Sequence, residues 1–288
     1  MRKTMLAPLP TGIEFQADDG TLVDPREMIM PICLREKATG LLHPLGTCFP
    51  LFSVQNIVLT AKHVITDPVI RVDDDPETGV MVDPNLELVA IWFSNPLASP
   101  VKYYFRPIGR LWEHPTADLA LAKLTTMTHN LTGKILTDKI PALDFAMPEP
   151  GELVSTFAYP DIRGDSAIDV IRKAHLTTSA RVGHVSKTYP ERRDSTFLPA
   201  PCCEAYLDVR GGMSGGPVFN GKGRLCGINS TGVDDPASGP PIAHFSLLSP
   251  LLEMRLPSDP ERTSYSIRQL IERRFVHAHN LIPFRDSV

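Results

Sequence analysis

GGMSGGP, residues 211–217, sets one hydroxyl, Ser214, among four glycines and ahead of a proline and the apolar pair Val218-Phe219. Glycines permit positive φ and close backbone approach, so successive N–H groups can converge on one point beside the serine oxygen. Such a point suits an oxyanion. The segment GMSGG also fits the G-x-S-x-G elbow of α/β hydrolases, which needs a parallel sheet before the serine and a helix directly after it. Pro217 and the hairpin signal Asn220-Gly221 follow instead. The loop is therefore expected between antiparallel strands, with positive φ at the Asn-Gly turn.

Outward from this loop, the apolar runs are short and close together. LFSVQNIVLT (51–60), LELVAIWF (86–93), VKYYFR (101–106), DLALAKL (118–124) and ELVSTFAY (152–159) each read as a strand bounded by turn residues. IDVIRKAHLTTSARVGHVS, EAYLDV, GPVFN, GRLCGINS and IAHFSLL continue the series. Proline, 28 of 288 residues, is about twice as frequent as average and leaves room for few long helices. No helix-length amphipathic segment separates the runs, so an all-β, mostly antiparallel sandwich or barrel is expected. Helix is expected only near the end. Ser249-Pro250 offers an N-cap before LLEM, and Ile267, Leu270, Ile271 and Phe275 recur at helical spacing behind a Ser266/Gln269 capping box. Residues 135–150 hold three prolines and no clear strand, and read as a link between two halves.

Composition narrows the function. Lys and Arg total 29 against 33 Asp and Glu, with the signs interspersed, which argues against a nucleic-acid binder working through a basic face. Hydrophobic residues at 42% and charged residues at 22% suit a folded globular chain. No apolar run is long enough to span a membrane. Glu14, Asp18 and Asp19 interrupt the opening before a secretory signal could form, so a cytoplasmic location is expected. Cys33, Cys48, Cys202, Cys203 and Cys226 are odd in number and lack zinc-knuckle spacing, and read as free apolar thiols. The histidines have no metal-ligand spacing, and the acidic run DDDPETG (73–79) lacks the EF-hand oxygen pattern and reads as a solvated loop. Phosphate-binding glycine loops are absent, so no cofactor is expected.

A serine nucleophile needs a base, and the base needs an orienting carboxylate. His63 stands in IVLTAKHVI, where a strand would deliver it to a barrel edge, and Asp118 begins the alternating strand DLALAKL. LTAKHV, DLALAKL and GGMSGGP, in the order His, Asp, Ser, resemble the three catalytic blocks of chymotrypsin-fold serine peptidases. His63 to Asp118 is 55 residues and Asp118 to Ser214 is 96, intervals comparable with that family's. The resemblance covers roughly residues 30–255.

It implies a double antiparallel β-barrel with short C-terminal helices. Residues 1–29 would form an N-terminal extension, 30–134 a first barrel with His63 and Asp118, and 135–150 a linker. A second barrel with Ser214 would span 151–254, and a C-terminal extension with helix 255–288. By the resemblance His63 is general base and then acid, Asp118 holds its tautomer, and Ser214 attacks the substrate. The N–H groups of Gly212 and Ser214 would form the oxyanion hole. GRLCGINSTG (223–232) resembles the strand along which substrate lies, with Ser230 near the catalytic aspartate and Gly232 leaving the specificity pocket open. The substrate would be a polypeptide added as an extended strand.

Departures from the family pattern matter as much. Secreted members carry an aspartate before the serine, which pairs with a freshly cut N-terminus and orders the oxyanion hole; here Met213 stands in that place. The site would then be preformed, or ordered by an activating or regulatory protein partner. Val64 rather than cysteine follows His63, so the disulfide near the histidine is missing. Both departures resemble bacterial, viral and intracellular relatives. Asp208, six residues before Ser214, has the offset of the pocket-floor aspartate that selects Arg or Lys, although Arg210 lies two residues on. Two other classes stay open: a catalytically silent binding or scaffold module on the same fold, and a serine esterase.

Overall fold

A computed structural model describes residues 9–52, 56–66, 83–94, 102–127, 139–160, 162–233, 239–257, 264–275 and 277–281. In the first half, β1 (Met30–Glu36), β2 (Leu42–Phe52) and β3 (Ile57–Thr60) precede a short helix α1 (Lys62–Thr66), and β4 (Leu86–Ser94), β5 (Lys102–Glu113) and β6 (Ala120–Leu124) follow. The order β1-β2-β3-β6-β5-β4 closes into a barrel through the antiparallel pairing of β4 with β1. The all-buried Ile57–Thr60 supplies both faces of a central strand, as a β-branched and leucine run should.

The second half contains β7 (Leu143–Asp144), β8 (Leu153–Ala158), α2 (Ala167–Leu176), β9 (Ser179–Tyr189), β10 (Cys202–Ala205), β11 (Pro217–Asn220), β12 (Leu225–Val233) and β13 (Ile242–Leu247). The ring β11-β8-β9-β10-β13-β12 returns to β11 through Pro217 opposite Ile228, giving a second six-stranded antiparallel barrel. β14 (Arg255–Pro257) pairs with β15 (Ser264–Ser266), which runs into α3 (Ile267–Glu272). The expected capping box is present at α3, with Ser266 accepting from the Gln269 N–H and Gln269 accepting from the Ser266 N–H. β16 (Ala278–His279) pairs in parallel with β7, which pairs in parallel with the start of β12.

The N-terminal segment completes the second barrel. Phe15, 3% exposed, sets its ring edge-on against Phe157 and Phe219 at 5.0 and 5.2 Å. The Gln16 N–H donates to the Gly223 carbonyl. Among the described residues no helix is long and apolar enough to cross a membrane. No group of three or more His, Cys, Asp or Glu among them could hold a metal ion. The acidic run 73–79 lies outside the described residues.

Several local expectations change. LFSVQNIVLT is not one strand but the end of β2 and all of β3, with Asn56 between them at φ 53. IDVIRKAHL is helix: Ser166 caps it by accepting from the Asp169 N–H, and Val170, Ile171 and Ala174 form its buried face. α2 packs against β2 of the first barrel, tying the barrels together. The link 135–150 does hold a strand, β7. At the 220s turn the positive φ falls on Gly223, at 70°, and not at Asn220-Gly221. Asn220 instead accepts the Lys222 and Arg224 N–H groups with its side-chain oxygen. Ser249 lies inside a 3-10 turn whose cap position is Leu248, so it caps nothing.

Candidate active site

α1 begins where β3 ends, so the barrel edge presents His63. The Lys62 ammonium donates to the carbonyls of His114 and Pro115 at 3.1 and 3.4 Å, fastening α1 to the turn that leads to Asp118. That turn is organised by the His114 ring, whose Nδ1 accepts from the N–H groups of Ala117 and Thr116 at 2.8 and 3.2 Å. Burial holds the His114 pKa below its ordinary value, which suits a neutral ring acting as acceptor.

Asp118 receives His63 twice. Nδ1 of His63 lies 2.9 and 3.0 Å from its two carboxylate oxygens, and the His63 N–H donates at 3.1 Å. The Ser230 hydroxyl donates to the same carboxylate. Burial pushes the Asp118 carboxyl up, but the hydrogen bonds and charge of His63 and the Ser230 hydroxyl outweigh it and hold the group below its usual range. The folded value lies below the unfolded one, so the ionised carboxylate contributes stability above the ordinary range and loses it as pH falls through the folded value. A neutral ring that donates Nδ1–H to the carboxylate carries its lone pair on Nε2.

Ser214 arrives from the other barrel. Its carbonyl accepts from the Thr47 N–H at 2.8 Å, and its hydroxyl lies 3.4 Å from the Ser230 carbonyl. A Cβ on Gly215 would sit 2.2 Å from the Thr47 carbonyl oxygen, 2.3 Å from Thr60 Oγ1 and 2.9 Å from the Ala61 nitrogen. The loop therefore rests directly on the chain that leads into α1, beside His63.

Three successive carbonyls of this loop, from Gly212 to Ser214, are held by hydrogen bonds. Thr47 Oγ1 donates to Gly212 at 3.0 Å, the Asn229 amide and the Gly216 N–H donate to Met213 at 3.2 and 3.1 Å, and the Thr47 N–H holds Ser214. Thr47 Oγ1 in turn accepts from the Tyr159 N–H at 3.1 Å. Gly212 adopts φ 83° in the turn closed by the Met213 N–H on the Arg210 carbonyl. Positive φ at the third residue gives the type II form, which sets the direction of the Gly211–Gly212 peptide. Neither Gly212 nor Ser214 gives its N–H to a backbone carbonyl among the described residues. Met213 itself is fully buried in the second barrel's core.

The remaining expected residues are placed differently from one another. Ser230 joins Asp118, as stated. Asp208 is occupied: Arg210 bonds its carboxylate oxygens at 2.9 Å each, and Arg181 lies 3.3 Å away. The Arg210 hydrogen bond leads the effects that lower its pKa. Gly232 does not face an open pocket, because a Cβ there would meet the Val209 carbonyl oxygen at 2.1 Å. The sequence reading missed Thr47, Asn229 and Gly215 as positioning residues. Only Gly215 carried a signal, as part of the glycine-rich loop.

Residues 46–228, well over half of the chain, match the trypsin-like peptidase domain family. No curated protein matches the sequence. Among solved structures, an HtrA-type protease AlgW variant with a decapeptide shares 13% identity over 88% of this chain, with a TM-score of 0.49. HtrA-type protease AlgW with a tripeptide shares 15% identity over 77%, with a TM-score of 0.47. The match spans 65% of the first of those chains and 56% of the second. The paired barrels and the length of the family match place the chain in one group: it belongs to the trypsin-like peptidase domain family.

Proposed function

We propose that the protein is a serine endopeptidase in which Ser214 is the nucleophile, His63 the general base and then acid, and Asp118 the residue that orients and stabilises the imidazolium. The observation that carries this reading is the convergence of His63, Asp118 and Ser230 from one hydrogen-bonded set with the Ser214 hydroxyl against the Ser230 carbonyl. The N–H groups of Gly212 and Ser214 take the oxyanion of the tetrahedral intermediate, and the carbonyls fixed by Thr47 and Asn229 keep that hole formed in advance. Attack expels the leaving amine, which His63 protonates, and leaves an acyl-enzyme. Water activated by His63 then releases the second product. Substrate is a polypeptide laid in extended form along Ser230–Gly232 of β12, and no cofactor takes part.

Preformation answers the exchange of the family's aspartate for Met213. A thioether cannot pair with an ammonium group, and the loop is ordered by uncharged hydrogen bonds from within the chain. Hydrolysis of an unstructured polypeptide tests the reading against the silent-scaffold alternative. Wild type should cleave it, and folded Ser214→Ala and His63→Ala proteins should be slower by about 10⁴-fold or more. Full turnover in Ser214→Ala would sink the assignment.

A further inference from the structure

The backbone opposite β12 limits what the site can accept. With the scissile carbon at Ser214 Oγ, its oxygen at the Gly212 and Ser214 N–H groups and the substrate strand beside Ser230, the side chain preceding the cut must enter between Ser230–Gly232 and the segment 208–212. That gap is shut at Val209: a methyl on Gly232 would fall 2.1 Å from the Val209 carbonyl oxygen and 3.0 Å from its carbonyl carbon. The barrier is main chain, and it is backed by core. Val209 is 4% exposed and packs in one buried cluster with Leu207, Met213, Ala243 and Phe245. Its N–H donates to the Leu207 carbonyl, and the Arg210 N–H to Met213 Sδ at 3.4 Å. The two nearest atoms are main chain, so a rotamer change does not relieve the contact. A Cβ on the exposed Gly211, by contrast, would meet nothing within 4 Å. Below the barrier, the Asp208 charge is already paired with Arg210 and Arg181.

We infer that this site takes glycine or alanine immediately before the cut and rejects longer side chains, cationic ones included. The inference rests on the serine peptidase reading above. Its test is the rate at which peptidyl diphenyl phosphonates ending in the analogues of Gly, Ala, Leu, Phe or Arg attach to Ser214 in the full chain. The Gly and Ala probes should react ~10-fold faster or more than the other three, the scale set by forcing extra methylenes into closed packing. Equal rates, or faster reaction of Leu, Phe or Arg, overturn it. Failure of the whole series also overturns it, and a small alkyl fluorophosphonate run in parallel separates the causes. An adduct on Ser214 leaves the nucleophile assignment standing and removes only the specificity; no adduct removes both.

Discussion

Thr47 carries more of the candidate site than its position on β2 suggests. Fully buried, it donates its hydroxyl to Gly212, accepts the Tyr159 N–H on the same oxygen and gives its own N–H to Ser214. Thr47→Val keeps the shape and removes the hydroxyl, leaving the Gly212 carbonyl free to turn and the Gly212 N–H out of line. The expected result is a kcat lower by about 10- to 100-fold with KM little changed, the cost of a misplaced oxyanion donor. Thr47→Ser should restore most of it. Steady-state kinetics of the three proteins check this, and an unchanged kcat in Thr47→Val would separate the hydroxyl from the loop's geometry. His63, Asp118 and Ser214 could be singled out as candidates from the sequence because each sits in a short block with its own pattern. Thr47 could not, because its partner Gly212 is 165 residues away and a buried threonine on a strand has no local mark. Asp208 and Gly232 show the converse: their offsets were legible, and so was Arg210 as a neighbour of Asp208, but the Arg181 contact at Asp208 and the Val209 contact at Gly232 were not.

Among the elements, most strands were readable from alternation and turn residues, and the failures have physical causes. α2 was hidden because its apolar residues run into the β-rich segment behind it without proline or glycine, and its serine cap carries no signal beyond one side chain. The β2–β3 turn was hidden inside LFSVQNIVLT because Asn56 takes the positive φ without a glycine beside it. One close junction between elements is Gly215, which seats the Ser214 loop against β2 and β3. It holds φ 80° and leaves no space for a methyl against Thr47 and Thr60. Gly215→Ala therefore combines a left-handed alanine with overpacking against backbone, and the two costs sum to about 2–5 kcal/mol. Denaturant unfolding should show that loss as a lower midpoint with an unchanged slope. A midpoint within error of wild type would mean the loop moves off β2 easily, and the description of a rigid seat would fall.

At the scale of the whole molecule, two closed barrels meet along the edge where β2, β3 and α1 face the loop between β10 and β11. α2, although placed in sequence between strands of the second barrel, packs on the first, and Tyr159 reaches from the end of β8 to the Ile29 carbonyl. Both ties hold the two halves of the site in register, so that chemistry split between barrels can be preorganised. Cysteine adds no disulfide: all five side chains are buried outside any S–S bond, and burial pushes Cys33 and Cys203 up to about 12. In the proposed function Ser214 is an activated nucleophile. The most direct measurement is labelling of the purified full chain with an alkyl fluorophosphonate, beside folded Ser214→Ala and His63→Ala, with mass spectrometry locating the adduct. One adduct is expected, on Ser214, absent from Ser214→Ala and strongly slowed in His63→Ala. A folded wild type that stays unlabelled, or a Ser214→Ala protein labelled as fast as wild type, would contradict it.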